Sequence, residues 1–136
     1  KGRPLTEGFR SIREPGSGVG VLLHLDNGQY VYGDGTSVTY AGAAGRDPIL
    51  RFQDLDSGFT QRLRDMLVGN SVDNLFPLSD EIENTSYKGT HIHTAMRYAL
   101  SQALLEACAL AHDCTKTETL AMAFGSIRKG PGSFIL

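Results

Sequence analysis

Residues Thr90–Ala111, THIHTAMRYALSQALLEACALA, decide how the rest of the chain must fold. Within them Ile92, Ala95, Met96, Ala99, Leu100, Ala103, Leu104, Ala107 and Leu110 recur at intervals of three and four, the spacing of one helix face. Thr90 stands at an N-cap position, and neither Gly nor Pro interrupts the residues that follow it to Ala111. Tyr98, Leu105, Cys108 and Ala109 lie off that face, so the helix is apolar around most of its circumference and is predicted to be buried on more than one side. Two narrow polar lines remain, His93, Arg97 and Ser101 on one and Gln102 and Glu106 on the other. The alanines predict close approach of neighbouring elements, which makes this helix the centre of the core.

The 136 residues suffice for one domain with a real core. Lys plus Arg number 13 and Asp plus Glu 15, a formal charge of −2, which supplies no electrostatic reason for a nucleic-acid or anionic-membrane partner. No apolar run approaches the roughly 20 residues that span a bilayer. Lys1 opens a polar segment without the apolar region of a signal peptide, and its start without Met predicts a natural chain that begins earlier. Cys108 and Cys114 would face ~240° apart on a continuing helix at ~100° per residue. They read as reduced thiols of a cytoplasmic protein.

Upstream of the long helix, Gly8–Arg13 alternates apolar with polar as a strand does, and Pro15-Gly16-Ser17-Gly18 is a turn. Val19–Asp26 reads as a strand with Val19, Val21, Leu23 and Leu25 on one face and His24 on the other. Asn27-Gly28 is a strong hairpin signal, and Gln29–Tyr32 returns as the partner strand. Residues 8–34 therefore predict a three-stranded antiparallel meander. Val38–Pro48 reads as an ordered Gly- and Ala-rich loop. Ile49–Val68 has helical spacing with a break near Ser57-Gly58, and Gly69-Asn70 ends it. Pro77–Asn84 predicts a short helix, and Lys116–Phe124 another with Thr115 as N-cap. Gly125–Leu136 loses periodicity and predicts an irregular tail. Strands first and helices after give an α+β fold, with a helical bundle packed on one face of a small sheet.

Few residues carry readable chemistry. His91 and His93 form an H-x-H pair that could chelate a metal from one face of a strand. On the helix expected here they point ~200° apart at ~100° per residue and cannot share an ion, and no Cys or His nearby completes a ligand set. His91 therefore reads as a cap and His93 as partly buried. Asp54, Asp56, Asp80, Glu81 and Glu83 read as mostly solvated helix faces. No nucleophile–base arrangement appears. Gly42-Ala43-Ala44-Gly45-Arg46-Asp47-Pro48 lacks both phosphate-loop patterns. It reads either as a structural loop or as a ligand-closing loop with Arg46 as an anion contact.

The order of segments adds a resemblance. Glu7-Gly8-Phe9, the hairpin Leu22–Gly33, then Val38–Pro48 (VTYAGAAGRDP), then His93-Thr94-Ala95-Met96-Arg97-Tyr98 with Gln102, Ala103 and Ala107, resembles the N-terminal domain of methylaspartate ammonia-lyase, a family of the enolase superfamily. The likeness runs over roughly residues 6–112 with its spacing kept. It implies an enolase-type N-terminal capping domain over residues 1–124, an irregular tail over 125–136, and a catalytic (β/α) barrel that lies outside this chain. In the family the intact enzyme takes a proton α to a carboxylate of 3-methylaspartate, Mg²⁺ stabilises the aci-carboxylate, and ammonia leaves to give mesaconate. The resemblance places base and metal ligands on the barrel, so no catalytic and no metal-binding residue is expected in this chain, and the isolated chain is expected to be inactive.

What the resemblance gives this chain is substrate contact. Thr39 and Tyr40 match the segment that faces the substrate's amine end, and Gly42 and Arg46 belong to the loop behind them. Thr39 stands where the family usually has Gln, and Ala41 where it usually has Ser. The shorter Thr39 is expected to loosen the amine pocket. His93 and Arg97 read either as a docking edge towards barrel or loop, or as capping contacts within the domain. The implied partners are a barrel in the same polypeptide, a second copy in a homodimer, and a small amino-acid substrate. Two other readings stand beside this one: a free-standing binding or assembly module on the same fold, and a lid for a different enolase-superfamily reaction. A lid is expected to bare a contiguous apolar patch, and a module is not.

Overall fold

The computed structural model describes residues 2–125. The tail expected over 125–136 therefore lies outside the described residues beyond Gly125. Two strands, β1 (Gly18–His24) and β2 (Tyr30–Thr36), pair antiparallel from Gly18↔Thr36 to His24↔Tyr30. Val19, Val21 and Leu23 turn inward, as their alternation predicts, while exposed His24 stacks on Tyr30 with ring centroids 4.4 Å apart. At the tip, Gly28 N–H donates to Leu25 O (3.0 Å), Leu25 N–H donates to Gln29 O (2.9 Å), and only Gly28 has positive φ (85°). That is a type I turn closed by a left-handed glycine, one residue longer than a two-residue Asn-Gly turn.

The expected third strand is replaced. Residues 8–13 bend, because Glu14 accepts from both the Arg10 and Ser11 N–H groups and so curls the chain. Their one ladder contact is an isolated antiparallel bridge, Arg13↔Tyr40. The hairpin thus has two strands, and residues 5–14 lie along the loop after β2 instead.

Helix α1 spans Ser57–Leu67 and starts where a break was expected within Ile49–Val68. Asp56 caps it, accepting from Phe59 N–H at 2.8 Å, and this fixes the start. Upstream, Ile49 and Leu50 are buried and a single 3-10 turn covers Phe52–Asp54. Helix α2 (Leu75–Asn84) is capped by Asn74 and carries Pro77 in its first turn. Strands β3 (Ser86–Tyr87) and β4 (Thr90–His91) form a minimal hairpin about Lys88-Gly89, whose φ values of 51° and 80° define a type I′ turn.

The long helix, α3, spans Thr94–Ala111, and its N-cap is His93 rather than Thr90. Thr90 and His91 pair as β4, so neither can cap. Helix α4 (Lys116–Ala123) follows with the expected cap, a reciprocal Thr115–Glu118 box. As its apolar circumference predicts, α3 is buried on two sides. Met96, Leu100, Leu104 and Cys108 pack with Phe59, Met66, Leu78, Ile82 and Ile92. On the other side Ala95, Ala99, Ala103 and Ala107 meet β2. Gly33 and Gly35 admit that approach, since a Cβ on them would fall 2.0 Å from the carbonyl oxygens of Ala99 and Ala95. Both cysteines are free thiols, and burial pushes the Cys108 thiol up. No helix among the described residues is long and apolar enough to cross a membrane.

Candidate functional site

Two sets of bonds hold loop 38–48 against the fold. Its first half is strapped to the N-terminal segment: Leu5 N–H donates to Ala41 O (2.7 Å), Ala41 N–H to Ile12 O (2.9 Å), and Glu14 N–H to Thr39 O (3.1 Å). The buried Thr6 hydroxyl adds a bond to Ala43 O at 2.8 Å. Its second half is pinned to the start of α3, where Asp47 accepts from Thr94 N–H at 2.6 Å. The His93 ring accepts from Ala95 N–H through Nδ1 (3.0 Å) and reaches Pro48 O through Nε2 (2.8 Å). Those partners assign the proton to Nε2 and occupy both nitrogens, so His93 has no lone pair left for a metal. Partial burial of Asp47 opposes its charge, but hydrogen bonds from Thr94, then the charge of Arg97, hold its pKa below the ordinary 3.8.

Between the pins, Gly45 takes a φ of 75° at the loop tip and Arg46 projects outward without an ion-pair partner among the described residues. An open cleft of about 490 Å³ lies there, bounded by Gly45–Asp47, by Asp34–Thr36 at the end of β2, by Val38, and by His93–Ala95 and Tyr98 of α3. That volume suits a small molecule. Arg46 and Asp34 give its rim opposite charges.

Of the residues expected to meet substrate, Arg46 lines this cleft, while Thr39, Tyr40 and Gly42 belong to the strapped half of the loop and do not. Thr39 is exposed. Tyr40 is 43% exposed, its ring lies under the Arg13 guanidinium at 5.7 Å, and its hydroxyl sits where a Cβ on Gly42 would be, 2.1 Å away. The structure therefore joins Tyr40 to Gly42 and sets Arg46 on the other half. His91 is exposed in β4 and His93 caps α3, so the pair is not on one helix, contrary to expectation. Arg97 binds Glu83 and the Thr94 hydroxyl, a contact within the domain. Among the described residues no group of three or more His, Cys, Asp or Glu could hold a metal.

Sequence reasoning missed Arg13, Asp34, Asp47 and Asp56. Asp56 carries more than a solvated face, for its carboxylate accepts from Tyr87 Oη (2.7 Å) and Lys88 Nζ (2.6 Å) besides Phe59 N–H. The one readable signal was Asp56 just ahead of the helix break, an N-cap in waiting. The others depend on contacts distant in sequence.

A hairpin laid on a buried helix, with a glycine-rich loop strapped at both ends and half of it left open, defines an α+β domain with an exposed loop beside an open cleft. A family model described as methylaspartate ammonia-lyase N-terminus matches residues 1–125. This chain belongs to that family. It is 40% identical over 119 residues to the methylaspartate ammonia-lyase of Citrobacter amalonaticus and 35% identical over 119 residues to that of Clostridium tetanomorphum, each time 88% of this chain and 29% of the relative. The β-methylaspartase structure from Clostridium tetanomorphum, a Mg complex, superposes with a TM-score of 0.79 at 32% identity, covering 95% of this chain and 31% of that one. The Citrobacter amalonaticus enzyme containing (2S,3S)-3-methylaspartic acid gives 0.77 at 38% identity, over 92% of this chain and 30% of that one. The chain thus spans 29% of the length of these curated relatives.

Proposed function

We propose that this chain is the substrate-capping domain of a methylaspartate ammonia-lyase-like enzyme, closing over a (β/α) barrel of the enolase superfamily. The observation that carries the reading is loop 38–48, held rigidly at both ends while Thr39, Tyr40 and Arg46 stay exposed. A loop fixed in this way can exclude water and orient a ligand without ordering on each turnover. Thr39 and Tyr40 meet the amine end of the substrate, Gly42 allows the close approach of Tyr40, and Arg46 attracts a carboxylate. In this proposal the base and the Mg²⁺ ligands are supplied by the barrel, as the family resemblance implies. When bound there, the ion stabilises charge on the carboxylate next to the proton being removed.

The test is the natural full-length polypeptide supplied with 3-methylaspartate and Mg²⁺. Ammonia and mesaconate are expected in equal amounts, and none from the 136-residue chain alone. Mesaconate formed by the chain alone would overturn the assignment. A cytoplasmic homodimer is part of the same proposal. Exposed apolar residues on two surfaces, Leu22 and Tyr32 on one and Phe76 and Phe124 on the other, favour the lid over a free-standing module. A second reading, a lid for another reaction of the superfamily, rests on Thr39 in place of Gln. Under it Thr39→Gln shifts preference between amine substrates in the full-length protein, and an unchanged preference removes it.

A further inference from the structure

We propose that Arg13 is a positioning residue that, together with the missing side chain of Gly42, holds the Tyr40 ring in the orientation it presents to substrate. The proposal rests on the reading of loop 38–48 as the substrate-facing edge. Arg13 and Tyr40 form the isolated antiparallel bridge between the N-terminal segment and the loop. Residues directly opposite in such a bridge send their side chains to the same face, which puts the guanidinium over the ring at 5.7 Å from its centroid. Gly42 is two residues beyond Tyr40, on the same face of an extended segment. Its missing Cβ leaves the space that the Tyr40 ring fills, since that atom would lie 2.1 Å from the hydroxyl and 2.2 Å from Cζ. The ring is therefore bounded by Arg13 and by the backbone of its own loop, and the strap bonds on either side of Tyr40, Glu14 N–H to Thr39 O and Ala41 N–H to Ile12 O, fix the backbone beneath it. Arg13 has no carboxylate partner among the described residues, whereas neighbouring Glu14 pairs with Arg51 at 3.6 Å. Its ordered contact is the ring.

Two readouts separate this proposal from the lid reading. In the 136-residue chain carrying ¹³C-labelled tyrosine, Arg13→Ala and Gly42→Ala are each expected to shift and broaden the Tyr40 ring signals. Tyr87 signals should stay in place and report an intact fold, and Arg13→Lys, which keeps the charge but not the planar stack, should fall between wild type and Ala. In the natural full-length polypeptide with 3-methylaspartate, Arg13→Ala is expected to raise KM about two- to fivefold with little change in kcat, the size of one exposed cation–π contact. Tyr40 signals unmoved by Arg13→Ala overturn the proposal whatever the enzyme does. Moved signals with an unchanged KM overturn it as well, and if Tyr40→Ala then also leaves KM unchanged, the lid reading falls with it.

Discussion

Asp56 holds three partners with one carboxylate, and they tie the start of α1 to the Lys88-Gly89 turn. The Lys88 ammonium, then the Tyr87 hydroxyl and the Phe59 N–H, drive its pKa far below the ordinary 3.8, and the same contacts raise the pKa values of Lys88 and Tyr87. A depressed carboxylate stabilises the fold in full above its unfolded pKa and loses that contribution as pH falls towards the folded value. Wild-type stability is therefore expected to decline from about pH 4 downward. Asp56→Asn should be less stable at pH 7 and show a flatter decline between about pH 4 and 2 in urea melts. Parallel slopes would mean the carboxylate has no such role. Asp47 has the same sign for a different reason, since its charge faces the N-terminal amides of α3. His93→Ala removes both the α3 cap and the Pro48 contact, with an expected loss of about 1 kcal/mol in urea-midpoint measurements.

Between elements, the decisive contact is backbone against backbone. Ala95 and Ala99 of α3 lie against Gly35 and Gly33 of β2 so closely that an added methyl group meets a carbonyl oxygen at 2.0 Å. No flexible side chain is available to move aside, so Gly33→Ala is expected to cost about 3 kcal/mol, the upper end of overpacking. Thermal melting against Gly28→Ala, where a Cβ meets nothing within 4 Å and only the φ of 85° is strained, separates packing from turn strain. The alanine period that makes this contact was legible in the sequence, as were both hairpin strands, α2 and the Thr115 cap. Competing local bonds hid the rest. Glu14 bends residues 8–13 out of the strand their alternation promised, Asp56 starts α1 at the point that looked like a break, and the type I′ turn draws Thr90 into β4. At the site, glycine spacing revealed the loop but not its pins. Asp47 reaches Thr94 across 47 positions, and Arg13 meets Tyr40 only because residues 8–13 failed to become a strand.

At the scale of the whole molecule, the described residues carry two apolar surfaces that their own core leaves uncovered. On the outer face of the hairpin, Leu22 and Tyr32 are register partners, 65% and 53% exposed, beside the Tyr30–His24 stack. On the helical side Phe76 and Phe124 meet edge to face at 5.4 Å, with Phe124 68% exposed and Met122 open beside it. Single exposed apolar residues are ordinary, whereas clustered ones are the surface that a partner body would cover under the lid proposal. A chain that spans 29% of its relatives' length has such a body in view under the lid proposal. Without it, the chain is expected to self-associate, with the sedimentation coefficient rising as concentration increases from about 10 µM to 1 mM, the range in which weak apolar contacts saturate. Leu22→Ser with Tyr32→Ser should abolish the rise if the hairpin face is responsible, and Phe76→Ser with Phe124→Ser if the helical face is. Leu22 and Tyr32 are well exposed, so the melting temperature should barely move in the hairpin pair, while loss of the Phe76–Phe124 contact should lower it modestly in the other. A wild-type chain that stays monomeric throughout would instead favour a domain adapted to stand alone, and the lid proposal would lose its support at this scale.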